Sequence, residues 1–216
     1  MIHGLIFDLD GTLADTLPVC FVAYRGAIEE FTGRDLSDAE IETLFGPSEE
    51  GIIRRAVPDR WRECLELHLE IYDREHSRCT GLFPGLEPIL HLLRDRNVRL
   101  AIVTGKGPRS AEISLRHLGV RHLFDAVEVG SPEGGIKPVS IRRVLDRWQL
   151  PPGRVAYVGD APYDMRAANE VGVVALGAAW AETADASALS PLEPAAVFTD
   201  VEAFKAWLDA HTAPRA

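Results

Sequence analysis

No stretch of the 216 residues approaches the roughly 20 consecutive apolar residues that a membrane-spanning helix needs, which argues against a protein of that kind. Long basic runs are missing as well. The chain has 23 basic against 33 acidic residues, a net charge of −10, so nucleic acid and anionic membrane surfaces are poor partners. That balance suits solubility and is compatible with a divalent cation. Cysteine is scarce. Cys20, Cys64 and Cys79 are odd in number and follow no metal-ligand spacing, which argues against a disulfide framework and for reduced thiols in the cytoplasm. "MIHGLIFDLD" is no signal peptide, because its apolar stretch is short and meets aspartate at once. There is no internal repeat. The phosphate-loop pattern fails in "VTGKGPRS", since it wants glycine where Leu100 stands and Ser or Thr where Gly107 stands. The dinucleotide fingerprint fails at Ser110.

What is present is a hydrophobic content of 46%, enough for one sizeable core with a smaller attached unit. "IHGLIF" reads as a buried strand. From about Asp15 to Phe83 no convincing strand follows. "TLPVCFVAYRGAIEEF" has helical spacing, with Val19, Val22, Ala23, Ala27 and Ile28 on one face. Ser37 and Glu40 form a capping box by pattern, and Ser48 repeats the device ahead of "EEGIIRR". "DRWRECLELHLEIYDREHSRC" is a long helix carrying Trp61, Leu65, His68, Leu69 and Tyr72 at helical spacing. From Pro84 onward, strand-like and helix-like segments alternate, which predicts an α/β fold with a Rossmann-like parallel sheet covered on both faces. The helical region reads as an insertion after the first strand: an α-helical cap over 16–83, with 1–15 and 84–216 forming the core. "HTAPRA" reads as a frayed tail.

In open parallel sheets, ligands bind at the carboxyl ends of the strands. Asp8 and Asp10 follow "LIF", Thr104 and Gly105 follow "LAIV", and Asp160 follows "AYV", with Asp164 four residues on at a helix start. Lys137 stands just before another helix. Turn chemistry explains each position singly but not their shared edge. His68, Trp148 and Trp207 read as packing residues, Lys106 as a solvated or rim residue, and Trp180 either as a flank of the crevice or as packing.

The pattern resembles the haloacid dehalogenase superfamily. "DLDGT" matches its first motif, Thr104 in "VTGK" its second, Lys137 its third and "GDAPYD" its fourth, in order and across essentially the whole chain. Within the family the chain looks most like phosphoglycolate-phosphatase-type members, through its helical cap, "FPGL" and "VTGK". The resemblance implies a Rossmann-like core with a mobile helical cap. It also implies a phosphatase acting through Asp8 as nucleophile and Asp10 as general acid and base, with Thr104 and the Gly105 N–H on the phosphoryl oxygens and Lys137 beside Asp8. Mg²⁺ would be held by Asp8, Asp160, the main-chain carbonyl of Asp10, and Asp164 directly or through water. Gly105 stands where most relatives have asparagine or serine, and "GSPEGGIKP" is glycine-rich where many carry a charged loop. The expected substrate is a small phosphorylated metabolite, phosphoglycolate-like or a sugar phosphate, and the chain a monomer or homodimer. In the cap, helix N–H groups near Ser48, with Arg54 or Arg55, would bind the far end of the substrate. A phosphomutase of the β-phosphoglucomutase type shares both aspartates and is the alternative. A binding protein that kept the fold without turnover is a third reading.

Overall fold

The structure, a computed structural model, describes residues 1–213. Six parallel strands form one sheet: β1 (Gly4–Phe7), β2 (Arg99–Val103), β3 (Ala126–Glu128), β4 (Val155–Gly159), β5 (Val174–Ala178) and β6 (Ala196–Phe198), in the order β3-β2-β1-β4-β5-β6. β1 is central, with Phe7 beside Ile102 on one side and Val158 on the other. Its side chains alternate between two cores. Leu5 and Phe7 pack with helices α5 (Leu86–Asp95), α6 (Pro108–Leu118) and α10 (Val201–His211). Ile6 packs with α7 (Lys137–Trp148), α8 (Pro162–Val171) and α9 (Ala186–Leu189). A strand covered on both faces must be apolar at every position, which is why "GLIF" is a continuous run. It runs out where the sheet ends and the polar crevice begins.

Between β1 and α5 the chain forms α1 (Leu17–Thr32), α2 (Asp38–Glu42), α3 (Glu49–Ala56) and α4 (Trp61–Glu75), with no strand among them. They share a third cluster of their own, built from Val19, Ala23, Ala27 and Ile28 of α1, Ile41, Ile52, Ile53, Ile71 and Tyr72. The Ser37 capping box forms as the pattern predicts, with the Ser37 N–H donating to Glu40 at 2.9 Å and the Glu40 N–H to the Ser37 hydroxyl at 3.3 Å.

Ser48 departs from its pattern. It is the N-cap of α3, but its side chain caps nothing. The third helical residue is Gly51, which has no side chain to reach back. The Ser48 N–H instead donates to the Ser131 carbonyl at 2.8 Å, across to the loop that leads to α7. Gly51 is needed for the same contact, because a Cβ there would lie 2.1 Å from the Pro132 carbonyl oxygen. Gly51→Ala is therefore expected to cost about 1–3 kcal/mol by overpacking, a fall in Tm of roughly 2–10 °C in a scanning calorimeter.

The C-terminal segment is also less loose than its composition suggests. The Ile2 N–H donates to the His211 carbonyl at 2.7 Å, and the Thr212 hydroxyl is buried and accepts from Arg96 at 2.9 Å. The strand pattern at Ile2 is thus satisfied by an isolated bridge to Thr212 rather than by β1. Of the tail "HTAPRA", residues 214–216 lie outside the described residues. Among the described residues, no helix is long and apolar enough to cross a membrane.

Candidate active site

β1, β2 and β4 lie side by side, so their carboxyl ends deliver Asp8, Thr104 and Asp160 to one edge. Ligand atoms of Asp8, Asp160 and Asp164 come within 4.8 Å of one another. Gly11 makes this approach possible. Its φ is +69°, and a Cβ there would stand 2.3 Å from Asp160 Oδ2. Thr12, in the same turn, donates to Asp160 Oδ1 at 2.9 Å.

Lys137 is the first residue of α7 and lies against both Asp8 and Asp164, at 2.9 and 2.5 Å. Asp164 has a full set of partners. Its Oδ1 receives Lys137 and the Tyr157 hydroxyl, and its Oδ2 accepts the Ala161 N–H at 3.0 Å. Asp8 has an incomplete set. Its Oδ2 meets Lys137, but its Oδ1 is buried without any hydrogen-bond partner. Such an orphan is costly unless something is meant to meet it.

The electrostatics agree. Burial, resisted by Lys137 and reinforced by Asp164 and Asp10, pushes the Asp8 carboxyl up to about 7. Burial and then the Asp164 and Asp8 charges hold Asp160 well above the usual carboxylate range. Burial alone would lower Lys137, but Asp164 and Asp8 keep it well above the ordinary lysine value. The carboxylates crowd one another more than one lysine relieves. An oxygen-liganded cation fits this donor set, since its charge would offset the crowding and Asp8 Oδ1 has no other partner.

Thr104 is buried at the end of β2, and its hydroxyl accepts the Lys106 N–H at 3.2 Å. Gly105 borders open space, with no atom within 4 Å of where a Cβ would stand. Asp10 lies two residues past Asp8. It bonds the Thr16 hydroxyl and pairs with Lys106 at 3.2 Å.

Residues 5–178 match the family model of haloacid dehalogenase-like hydrolases. The chain belongs to that family. A phosphoglycolate phosphatase from Synechococcus elongatus is 32% identical over 187 residues, covering 82% of this chain and 84% of that one. A haloacid dehalogenase-like hydrolase from Streptococcus pneumoniae superposes with a TM-score of 0.77 at 26% identity, covering 96% of this chain and 98% of that one. The structure of CbbY from Rhodobacter sphaeroides in complex with phosphate shares the fold, with a TM-score of 0.76 at 20% identity over 92% of this chain and 94% of that one. The chain is thus a hydrolase-family α/β protein of the phosphatase type.

In this haloacid dehalogenase-like hydrolase, Lys106 stands elsewhere than sequence reading expects, whereas His68 and Trp180 stand where it places them. Lys106 is neither solvated nor on the rim. It is 4% exposed, and its ammonium lies 3.2 Å from both Asp10 Oδ1 and Cys20 Sγ and 4.4 Å from the centre of the Tyr72 ring. Burial would lower its pKa, but Asp10 first among its neighbours holds it well above the ordinary lysine value. Arg54 and Arg55 lie in the last turn of α3, at the opposite end from Ser48, and both are exposed. Arg54 is engaged by Glu50 and by the face of Trp61. His68 is interior, between Tyr24 and Tyr72, and burial and Lys106 push its pKa down to about 3. Trp180 both flanks the site and packs: its indole N–H donates to the Thr12 carbonyl at 3.0 Å, and its ring lies on Phe204.

Sequence reading passed over Glu49 entirely. Its buried carboxylate accepts the Gly107 N–H at 2.6 Å and the Ser110 hydroxyl at 2.5 Å, at the N-terminus of α6. It passed over Tyr157 too, although a phenol within the otherwise apolar "VAYVG" was a visible signal.

Proposed function

We propose that this chain is a Mg²⁺-dependent hydrolase of small phosphate monoesters that works through an aspartyl-phosphate on Asp8. In this reading, residues 16–83 form the lid and residues 1–15 and 84–216 the catalytic core. The observation that carries it is the orphaned Asp8 Oδ1, buried beside Lys137 with Asp160 and Asp164 within 4.8 Å and Asp10 two residues on. The phosphatase relatives support the same reaction class.

The chain's own groups divide the work. Asp8 attacks phosphorus, and the bond to the leaving oxygen breaks. Asp10 gives its proton to that oxygen, then takes one from the water that attacks the acyl phosphate, so one carboxyl serves both half-reactions. The Thr16 bond and the Lys106 pair fix where its carboxyl points. Thr104 accepts from the Lys106 N–H, which leaves its hydroxyl proton to donate to a phosphoryl oxygen, beside the Gly105 N–H. Lys137 keeps Asp8 in register and adds a compact positive charge next to the phosphoryl group. Mg²⁺ would be held by Asp8, Asp160 and the Asp10 carbonyl, with Asp164 as a ligand directly or through water, and its charge would offset the repulsion between nucleophile and phosphate.

Chelation is expected to abolish turnover, and Mg²⁺ to restore it. Reaction in ¹⁸O-water should place the label in inorganic phosphate. Isomerisation of a sugar phosphate without phosphate release would establish a phosphomutase instead.

A further inference from the structure

The loop 130–136, "GSPEGGI", leads from β3 towards Lys137 and is pressed between three neighbours. At its start, the Gly130 N–H donates to the Lys106 carbonyl at 2.7 Å, and a Cβ on Gly130 would lie 2.0 Å from the Gly105 carbonyl oxygen. Near its end, a Cβ on Gly135 would lie 2.5 Å from the Tyr163 hydroxyl. Between these points the N-terminus of α3 sits on the loop. The Ser48 N–H bonds the Ser131 carbonyl, and Gly51 packs directly on the Pro132 carbonyl. Close main-chain approach thus accounts for the glycines of this loop. Its middle is a tied turn: Ser131 and Gly134 form an isolated bridge, and the Ser131 hydroxyl bonds Glu133 and accepts the Glu133 N–H at 3.2 Å.

Lys137 follows at once. It is 7% exposed, with its ammonium between Asp8 and Asp164. The first turn of α7 gives its main chain little hold. Pro138 has no N–H to bond, and Val139 is 45% exposed. The Ser140 N–H bonds back at 3.0 Å to the Ile136 carbonyl, which belongs to the loop itself. The main chain that carries Lys137 is therefore placed from the loop side. With Gly130 fixed to the β2–α6 turn, a shift at Pro132 moves the tied turn and, through it, the entry to α7.

We propose that Gly51 is a positioning residue: by letting α3 seat on Pro132 it sets Lys137 against Asp8, so that phosphoryl transfer runs at full rate only while α3 is docked on the loop. The inference rests on the phosphatase reading and adds a control of that same site. A misplacement of about 1 Å, even from a change far from the chemistry, costs on the order of 10²-fold in rate, so a small shift at Pro132 is enough. Every phosphate ester meets the same Lys137, so the effect falls on kcat rather than on recognition of the leaving group.

Gly51→Ala tests this. Its Cβ would meet the Pro132 carbonyl oxygen at 2.1 Å and the Pro47 Cβ at 2.7 Å, so it has no free side to turn to and must part helix from loop. With Mg²⁺, and well below Tm, it should lower kcat on p-nitrophenyl phosphate about tenfold or more and leave KM within about twofold. Ala56→Gly weakens the same helix at its other end, away from the loop, and should leave kcat where it stands. A second readout needs no turnover. The chain's lysines are Lys106, Lys137 and Lys205, so ¹⁵N-lysine labelling gives a side-chain spectrum simple enough to assign. The Lys137 ammonium signal, identified by its loss in Lys137→Met, should shift or broaden in Gly51→Ala and stay in place in Ala56→Gly. An unchanged kcat, a loss confined to KM, an unmoved Lys137 signal, or the same changes in Ala56→Gly each overturns the inference. If Gly51→Ala does not fold, Pro132→Gly takes its place, with the same expectations and the same refuting outcomes, because it keeps the carbonyl and slackens the loop. A wild type inactive on p-nitrophenyl phosphate refutes the phosphatase reading, while the lysine signal still decides whether α3 sets Lys137.

Discussion

Asp8→Asn is expected to fold like the parent and to lose turnover by about 10⁴-fold or more, because an amide cannot form the acyl phosphate. The fold should tolerate it well. The Asp8 carboxyl is pushed up to about 7 because burial and its acidic neighbours disfavour its charged form more than Lys137 favours it. A neutral isostere gives up little, so Tm should stay within a few degrees of the parent. Two measurements check this: kcat on a small phosphate ester, and acid-quenched trapping of labelled phosphoenzyme, which should be present in the parent and absent in the variant. Retention of even a tenth of the parent rate would refute the covalent route.

The second large effect is on proton transfer. Asp10→Asn should still bind substrate and should still touch Thr16, but it has no proton to give. The loss should be about 10²–10⁴-fold for alkyl esters, whose leaving oxygens need protonation, and much smaller for p-nitrophenyl phosphate. A plot of log kcat against leaving-group pKa should become steeper than in the parent. An equal loss across the series would remove Asp10 from the role of acid.

How much of this was legible in the sequence depends on how far apart the deciding partners lie. The alternation after Pro84 was readable because each strand announces itself by a local apolar run and each helix by a local period. The carboxyl-edge cluster was readable because Asp8, Thr104 and Asp160 each end such a run, and a parallel sheet aligns those ends. Ser37 was readable because both halves of its box lie within four residues. At Ser48 the weakness was local and visible, since Gly51 at the third helical position has no side chain to complete the box, but the partner its N–H takes instead, Ser131, lies far along the chain. Lys106 was misread for the same reason. A lysine between two glycines has every local mark of a surface loop, and its burial comes from Asp10, Cys20 and Tyr72, on three other segments. Glu49, in a run of polar helix-start residues, gave no sign that it would turn inward. The tie between Ile2 and His211 joins the two ends of the described chain, which no window of sequence contains.

The central place of β1 bears on the order in which a nascent chain can become an enzyme. The strand carrying the nucleophile leaves the ribosome before its partners, Arg99–Ile102 and Val155–Val158. The helical segment 17–75, whose apolar cluster draws its buried members from within the segment itself, can collapse long before either partner exists. Synthesis therefore passes through a stage with a formed helical unit beside an unpaired "GLIF" whose two edges are open, a segment exposed to mispairing with other chains. The edges close on the arrival of β2 and then β4, and only β4 brings Asp160. Truncations that stop before Val155 should accumulate as aggregates rather than as partly active fragments.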